Sequence, residues 1–277
     1  MLVGKVKIIL PAYPVPSFWP ALTAVMAAII VPGTLLLLPG TLEHKSHLLL
    51  HGLCAQRPSH SFLLGGQMLP FDARMTGIYG GFSVAALYLL ARGRFRALAT
   101  PPAGVVLLLG MFVGLLVVDG FNSLLLDLRL WHPYVPRNDF RLVTGLLTGV
   151  ALAGVVAYLV SITLWQTGRG TLAAVRDARE VGLLAALQAP FVLAVLVGPG
   201  WLYPIVTLAL VASALLVCVL LALVIVVLIR RQDGILTTWQ DATGSISLAL
   251  LLAVCSVGGL AAGRFWLEHL SGTAQML

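Results

Sequence analysis

The chain alternates long apolar runs with short polar connections. Seven runs approach the length of a membrane span: 18–38, 76–91, 103–118, 142–164, 183–197, 202–229 and 245–267. A spanning helix needs about 20 apolar residues, with a range near 17–25, so the second, third and fifth are short. Only Gly198-Pro-Gly-Trp-Leu-Tyr-Pro204 parts the fifth from the sixth, a compact turn whose aromatics suit an interface. The pattern predicts an all-α fold, a polytopic transmembrane helical bundle of about seven spans forming one integral membrane domain over 1–277. A broken helix pair at the fifth and sixth runs is the alternative. The first run is too long for a signal-peptide core and lacks a clear small-residue cleavage site, so it reads as a retained helix.

Composition supports this reading. The 277 residues are 60% hydrophobic and 10% charged, with a mean hydropathy of +1.02, whereas soluble proteins carry about 25% charged residues. The net charge of +7 is no nucleic-acid footprint, because the basic residues sit at the ends of apolar runs and are not interleaved with aromatics. With the N-terminus inside, the inner segments hold Lys5, Lys7, Arg92, Arg94, Arg96, Arg169, Arg176, Arg179, Arg230 and Arg231. The outer segments hold Lys45, Arg57, Arg74, Arg129, Arg137, Arg141 and Arg264. The bias of ten to seven among the 17 basic residues predicts a multi-pass protein of the cell membrane, N-terminus inside and C-terminus outside. All six histidines and Cys54 then face the extracytoplasmic side. Four paired-glycine faces, Gly77/Gly81, Gly110/Gly114, Gly145/Gly149 and Gly259/Gly263, predict close helix packing in lipid.

The polar chemistry concentrates in two outer segments. In the first, Gly40 to Cys54 reads as a short helix, with Thr41 as N-cap and Glu43 in its first turn. His44, His47, His51 and Cys54 are spaced by three, four and three residues, which is one helix face. His47, His51 and Cys54 are therefore candidate metal ligands; the plainer reading is a solvated face of an interfacial helix. Beyond the helix breakers Pro58 and Gly65-Gly66, the residues Arg57, His60, Asp72 and Arg74 gather at the entrance of the second run. Ionisable groups at a membrane boundary are costly unless paired, so they are candidates for a binding site. An ion pair of Asp72 with Arg74 or Arg57, pinning the loop, is the alternative.

In the second outer segment Asp119-Gly-Phe-Asn122 ends the third run, and Arg141 opens the fourth. Asp119 is expected to face the bundle and pair with an arginine. Arg141 has the fork geometry to clamp a phosphate or carboxylate, and could equally be the partner of Asp119.

These stretches resemble a bacterial and archaeal membrane family catalogued as a domain of unknown function, number 2085. Its pattern is similar to C-H-Q-x-P-x-R-S-F, then L-P-x-C-A-R-C-T-G-I-Y, and later D-G-x-N/T with R-L-x-T-G. The matching residues are Cys54, Gln56, Pro58, Ser61 and Phe62; Leu69, Pro70, Ala73, Arg74, Thr76, Gly77, Ile78 and Tyr79; and Asp119, Gly120, Asn122, Arg141, Leu142, Thr144 and Gly145. The resemblance covers roughly 45–165 and leaves the spans within 183–267 unmatched. It departs at Ala55, His60, Asp72 and Met75, which stand where the family has His, Arg, Cys and Cys. It implies a fold and a site location, and carries no activity.

The candidate ligand-binding residues are thus Arg57, His60, Asp72, Arg74, Tyr79, Asp119, Asn122 and Arg141. The expected function is an extracytoplasmic mouth that binds an ion, a lipid headgroup or a quinone-like molecule. The alternatives are a non-catalytic subunit of a larger membrane complex, contacting other membrane subunits, and a small-molecule transporter. No G-x-S-x-G, Walker A or paired acidic motif assigns a reaction or a cofactor.

Overall fold

The computed structural model describes residues 39–167 and 169–271, with Phe18 and Leu22 besides. The expected first span, 18–38, otherwise lies outside the described residues. The elements in chain order are α1 (Leu42–Leu50), a hairpin of β1 (Ser61–Leu64) and β2 (Gln67–Asp72), α2 (Ala73–Ala91), β3 (Ala97–Ala99), α3 (Ala103–Asp127) and α4 (Asn138–Leu164). β4 (Arg169–Ala173), α5 (Ala178–Ala186), α6 (Ala189–Val197), α7 (Tyr203–Ile229) and α8 (Thr243–Leu270) complete it. Among the described residues, five segments are long and apolar enough to cross a membrane: Ala103–Asp127, Asn138–Leu164, Ala178–Val197, Gly200–Ile229 and Thr243–Leu270. This is a mostly helical, multi-pass membrane fold. The second expected span is helical too, but the glycine, serine, threonine and tyrosine of α2 make it less apolar than these five.

Two expectations about the helices need correction. The fifth run is two nine-residue helices, α5 and α6, parted at Leu187-Gln188, with Pro190 in the first turn of the second; proline is tolerated there because a first-turn N–H has no helical partner. The third run does not stop at Asp119. The helix α3 continues to Asp127, so Asp119 and Asn122 project from its flank and not from a loop.

Helix α4 is the axis of the bundle, with buried residues from Arg141 to Leu164. Its closest neighbour is α2. A Cβ added at Gly77 would lie 2.4 Å from the Leu142 carbonyl oxygen, and one at Gly145 would lie 2.3 Å from that of Arg74. Gly81 and Gly149 meet Leu146 and Ile78 oxygens in the same way, each at 2.3 Å. Two of the four paired-glycine faces therefore pack against one another, backbone to backbone, as expected where lipid gives no hydrophobic drive to helix association. Nothing lies within 4 Å of an added Cβ at Gly110, Gly114, Gly259 or Gly263. Helix α3 is peripheral, with 17% of its apolar window buried.

The core falls into two clusters along the axis. One surrounds Leu50, Leu64, Phe71, Leu142, Leu146 and Tyr203. The other surrounds Phe82, Leu89, Val150, Leu164, Trp165 and Leu223 at the opposite end. That opposite end is fastened by a buried ion pair, Arg94 to Glu180 at 3.1 Å. Arg94 also donates to the Ala173 carbonyl, and Glu180 accepts from Tyr88 and from the Arg176 backbone N–H. The Trp165 indole donates to the Phe95 carbonyl at 2.7 Å, and the Arg96 guanidinium lies over its ring.

The strands are additions that apolar patterning did not foresee. β1 and β2 pair antiparallel, with Leu63 opposite Met68 and Leu64 opposite Gln67. The two-residue loop Gly65-Gly66 has φ of +58° and +84°, the left-handed conformation that tight hairpins require. The Gly65 N–H donates to the Gly198 carbonyl at 3.0 Å, docking the tip on the turn before α7. β3 and β4 form a short parallel pair at the far end.

Candidate functional site

The mouth is built where the first turns of α2 and α4 face the last turns of α3. Asp72 is the N-cap of α2, and its carboxylate accepts from the Met75 N–H at 2.9 Å. This bond stands in place of the alternative, an Asp72 ion pair with Arg74 or Arg57. Arg57 pairs with Asp127 instead, at 3.2 Å and in the open. Arg74 donates to Asp119 at 2.5 Å and to the Ser123 hydroxyl at 3.2 Å. Asp119, only 2% exposed, also accepts from the Tyr134 hydroxyl at 2.9 Å. Burial and the bond to Asp119 push the Tyr134 phenol up from its usual range. The side chain of Asn122 donates to the Tyr134 carbonyl at 2.8 Å, folding the 128–137 connection back over α3.

The partner of Asp119 is thus Arg74, which leaves Arg141 without a carboxylate within ion-pair distance among the described residues. Its side chain is 6% exposed. It donates to neutral acceptors, Asn138 Oδ1 at 3.0 Å and Ser123 Oγ at 3.4 Å, and its Nε–H has no partner among the described residues. Beside it opens a groove of about 480 Å³ lined by Ser59, His60, Leu126, Pro136, Asn138 and Arg141, with Arg137 and Asp139 paired on its rim. Asn138 ties the groove together by donating to the Ser59 carbonyl at 3.2 Å. Burial, then the facing charges of Arg141 and Arg57, hold His60 below the ordinary imidazole range. Arg57, His60, Asp72, Arg74, Asp119, Asn122 and Arg141 therefore gather at one end of the bundle. Tyr79 does not join them. It stacks on Phe71, with ring centroids 4.8 Å apart, in the core.

Helix α1 forms as expected, with Thr41 accepting from the His44 N–H. Its histidine face is packed inward, not solvated: His47 and His51 are each 4% exposed. His47 Nδ1 meets the Glu43 carbonyl. His51 lies between Gln56 Oε1 at 3.2 Å and Glu268 Oε2 at 2.9 Å, with its ring stacked on Phe265. The Cys54 sulfur accepts from the backbone N–H groups of Gln56 and Asp72, both at 3.4 Å. Burial, and then the Asp72 carboxylate, push its thiol up to about 11. The three candidate ligands each face a different set of partners, and no group of three His, Cys, Asp or Glu among the described residues is placed to hold a metal.

The motif segment owes its shape to contacts that the sequence did not predict. Gln56 adopts φ +53°, unusual for a side-chain-bearing residue, and its amide donates to the His47 and Pro70 carbonyls, both at 3.0 Å. Arg264, in α8, donates to the carbonyls of His51, Cys54 and Ala55 and pairs with Glu268 at 2.7 Å. The available signal was the Arg264-x3-Glu268 spacing at the end of the last apolar run. Ser123, which joins the two mouth arginines, gave none.

Comparison with curated proteins and with solved structures returns no match. Residues 54–155, the stretch that builds the mouth, match the family described as predicted membrane protein DUF2085, and the resemblance carried by the Cys54, Arg74 and Arg141 motifs is to that family.

Proposed function

We propose that this protein is a seven-span protein of the cell membrane, with its N-terminus inside, whose extracytoplasmic mouth binds a ligand. The candidates are an ion, a lipid headgroup and a quinone-like molecule. The observation that carries the reading is Arg141, a buried guanidinium spent on neutral acceptors at the wall of an open polar groove. A structural arginine would be expected to own a carboxylate, as Arg74, Arg94 and Arg264 do. Gentle extraction and native mass spectrometry test it. A small ligand should travel with the wild type and be lost from Arg141→Ala protein that remains folded; a ligand-free wild type sinks the reading. For orientation, a reporter enzyme active only outside the cytoplasm, fused after Leu277, should be active.

A second reading, a subunit of a larger membrane complex, is favoured by the open glycine faces of α3 and α8. It predicts co-extraction with unrelated chains at a fixed ratio.

A further inference from the structure

The charges around the groove narrow the class of ligand; the inference rests on the mouth reading. Around Arg141 and His60 stand Arg57, Arg74, Asp72, Asp119 and Asp127. The three acids balance the other two arginines and Arg141 formally, but not locally. Asp119 is held by Arg74, Asp127 by Arg57, and Asp72 caps α2. Asp139, also lining the groove, accepts from Nε and Nη2 of Arg137, at 3.1 and 2.6 Å. What remains at the groove is one guanidinium bonded only to neutral acceptors and one imidazole.

Five N–H donors in a planar fork match the oxygens of phosphate or carboxylate. A buried guanidinium meeting only neutral acceptors gains most from an anion. The imidazole then answers the same anion. Burial and the charges of Arg141 and Arg57 outweigh Asp127 and Asp72 and disfavour the His60 proton. A negative charge seated between His60 and Arg141 reverses the sign of that local field.

We propose that the groove walled by Arg141, Asn138, Ser59 and His60 binds an oxyanion, a phosphate or carboxylate group, and that binding draws a proton onto His60. By linkage the effect is reciprocal: affinity for the anion rises as pH falls through the range in which His60 takes up its proton. The chemistry is shared by a free anion and by the headgroup of an anionic phospholipid.

The test uses the full chain. Inorganic phosphate is titrated into protein held in a phosphate-free maltoside detergent. In a second arm the protein is reconstituted in vesicles of phosphatidylcholine, or of equal parts phosphatidylcholine and phosphatidylglycerol. The His60 ring is followed by nitrogen NMR, and proton uptake by calorimetry in two buffers of different ionisation heat. A saturable shift of His60 to its doubly protonated form with phosphate identifies a free-anion site. The same shift only in phosphatidylglycerol vesicles identifies a headgroup site. Both support the proposal. Arg141→Lys keeps the charge but loses the fork, and should weaken binding by about tenfold or more. His60→Gln should bind with no proton uptake. If neither probe moves His60 in folded wild-type protein, or if Arg141→Gln binds phosphate as tightly, the proposal fails. A neutral molecule co-purifying at the groove in that case leaves the mouth reading standing; no ligand of any kind removes both.

Discussion

Paired glycines occur four times in this chain, and the structure assigns them opposite roles, which a pair of substitutions separates. At Gly81 an added methyl would lie 2.3 Å from the Leu146 carbonyl oxygen. A comfortable carbon–oxygen contact is about 3.3–3.6 Å, so α2 and α4 must part by roughly 1 Å. The obstacle is backbone, which has no rotamer to yield. A gap of that size forfeits about a quarter to a half of the dispersion well for each contact it opens, and overpacking costs about 1–3 kcal/mol. Against this, alanine gains about 0.5–1 kcal/mol of helix propensity over glycine. Gly81→Ala should therefore cost about 1–2 kcal/mol net, and Gly81→Val more. At Gly110 nothing stands within 4 Å, so Gly110→Ala should keep the propensity gain and stabilise by about 0.5–1 kcal/mol. Reversible unfolding of each variant in mixed micelles of rising dodecyl sulfate fraction, followed by the fluorescence of buried Trp165, reads the difference. A neutral or stabilising Gly81→Ala refutes the reasoning, as does a Gly110→Ala as damaging as it. If Gly110→Ala is harmless in micelles but lowers the amount of protein in its own membrane, a partner chain covers that face.

Three further outcomes concern buried charges and one thiol. Asp119→Asn leaves Arg74 without its anion and should cost about 1–3 kcal/mol, less than for a fully buried pair because Arg74 is partly open; unchanged unfolding would show the pair to be idle. Glu180→Gln should cost about 3–5 kcal/mol, since Arg94 is sealed with it, while the double change Arg94→Met with Glu180→Leu should recover much of that loss; a double variant no better than the single one contradicts this. Cys54, its thiol pushed up to about 11, should resist maleimide at pH 8 in the folded protein and react faster only as pH approaches that value; rapid labelling at pH 7 would show an open or acidic thiol.

The helical, multi-pass fold was legible because lipid imposes a single long-wavelength constraint: about 20 apolar residues per crossing. Sequence fails where short-range geometry decides. Apolar runs could not show that α3 carries Asp119 and Asn122 within its last two to three turns, because a helix crosses an interface without a compositional mark. The Gly65-Gly66 turn was readable as a break but not as a hairpin, since the flanking Phe62, Leu63 and Met68, Leu69 give no clean two-residue alternation. The gathering of ionisable groups at one end of the bundle was legible by accumulation, as such groups are expensive near lipid. Its pairing was not. Which arginine meets Asp119 depends on how α2 and α4 are rotated against α3, which no local pattern reports. The fastening by Arg264 joins positions 210 residues apart, beyond any local pattern.

That last contact bears on biogenesis. The ribosome delivers Cys54 and Ala55 to the membrane long before it delivers Arg264. At about 5–20 residues per second, the 210 intervening residues take roughly 10–40 s to synthesise. During that interval the carbonyls of the motif loop lack the guanidinium that ties them down. The motif loop can reach its final shape only when α8 is in place. A nascent chain stalled before α8 lacks the donor for the His51, Cys54 and Ala55 carbonyls.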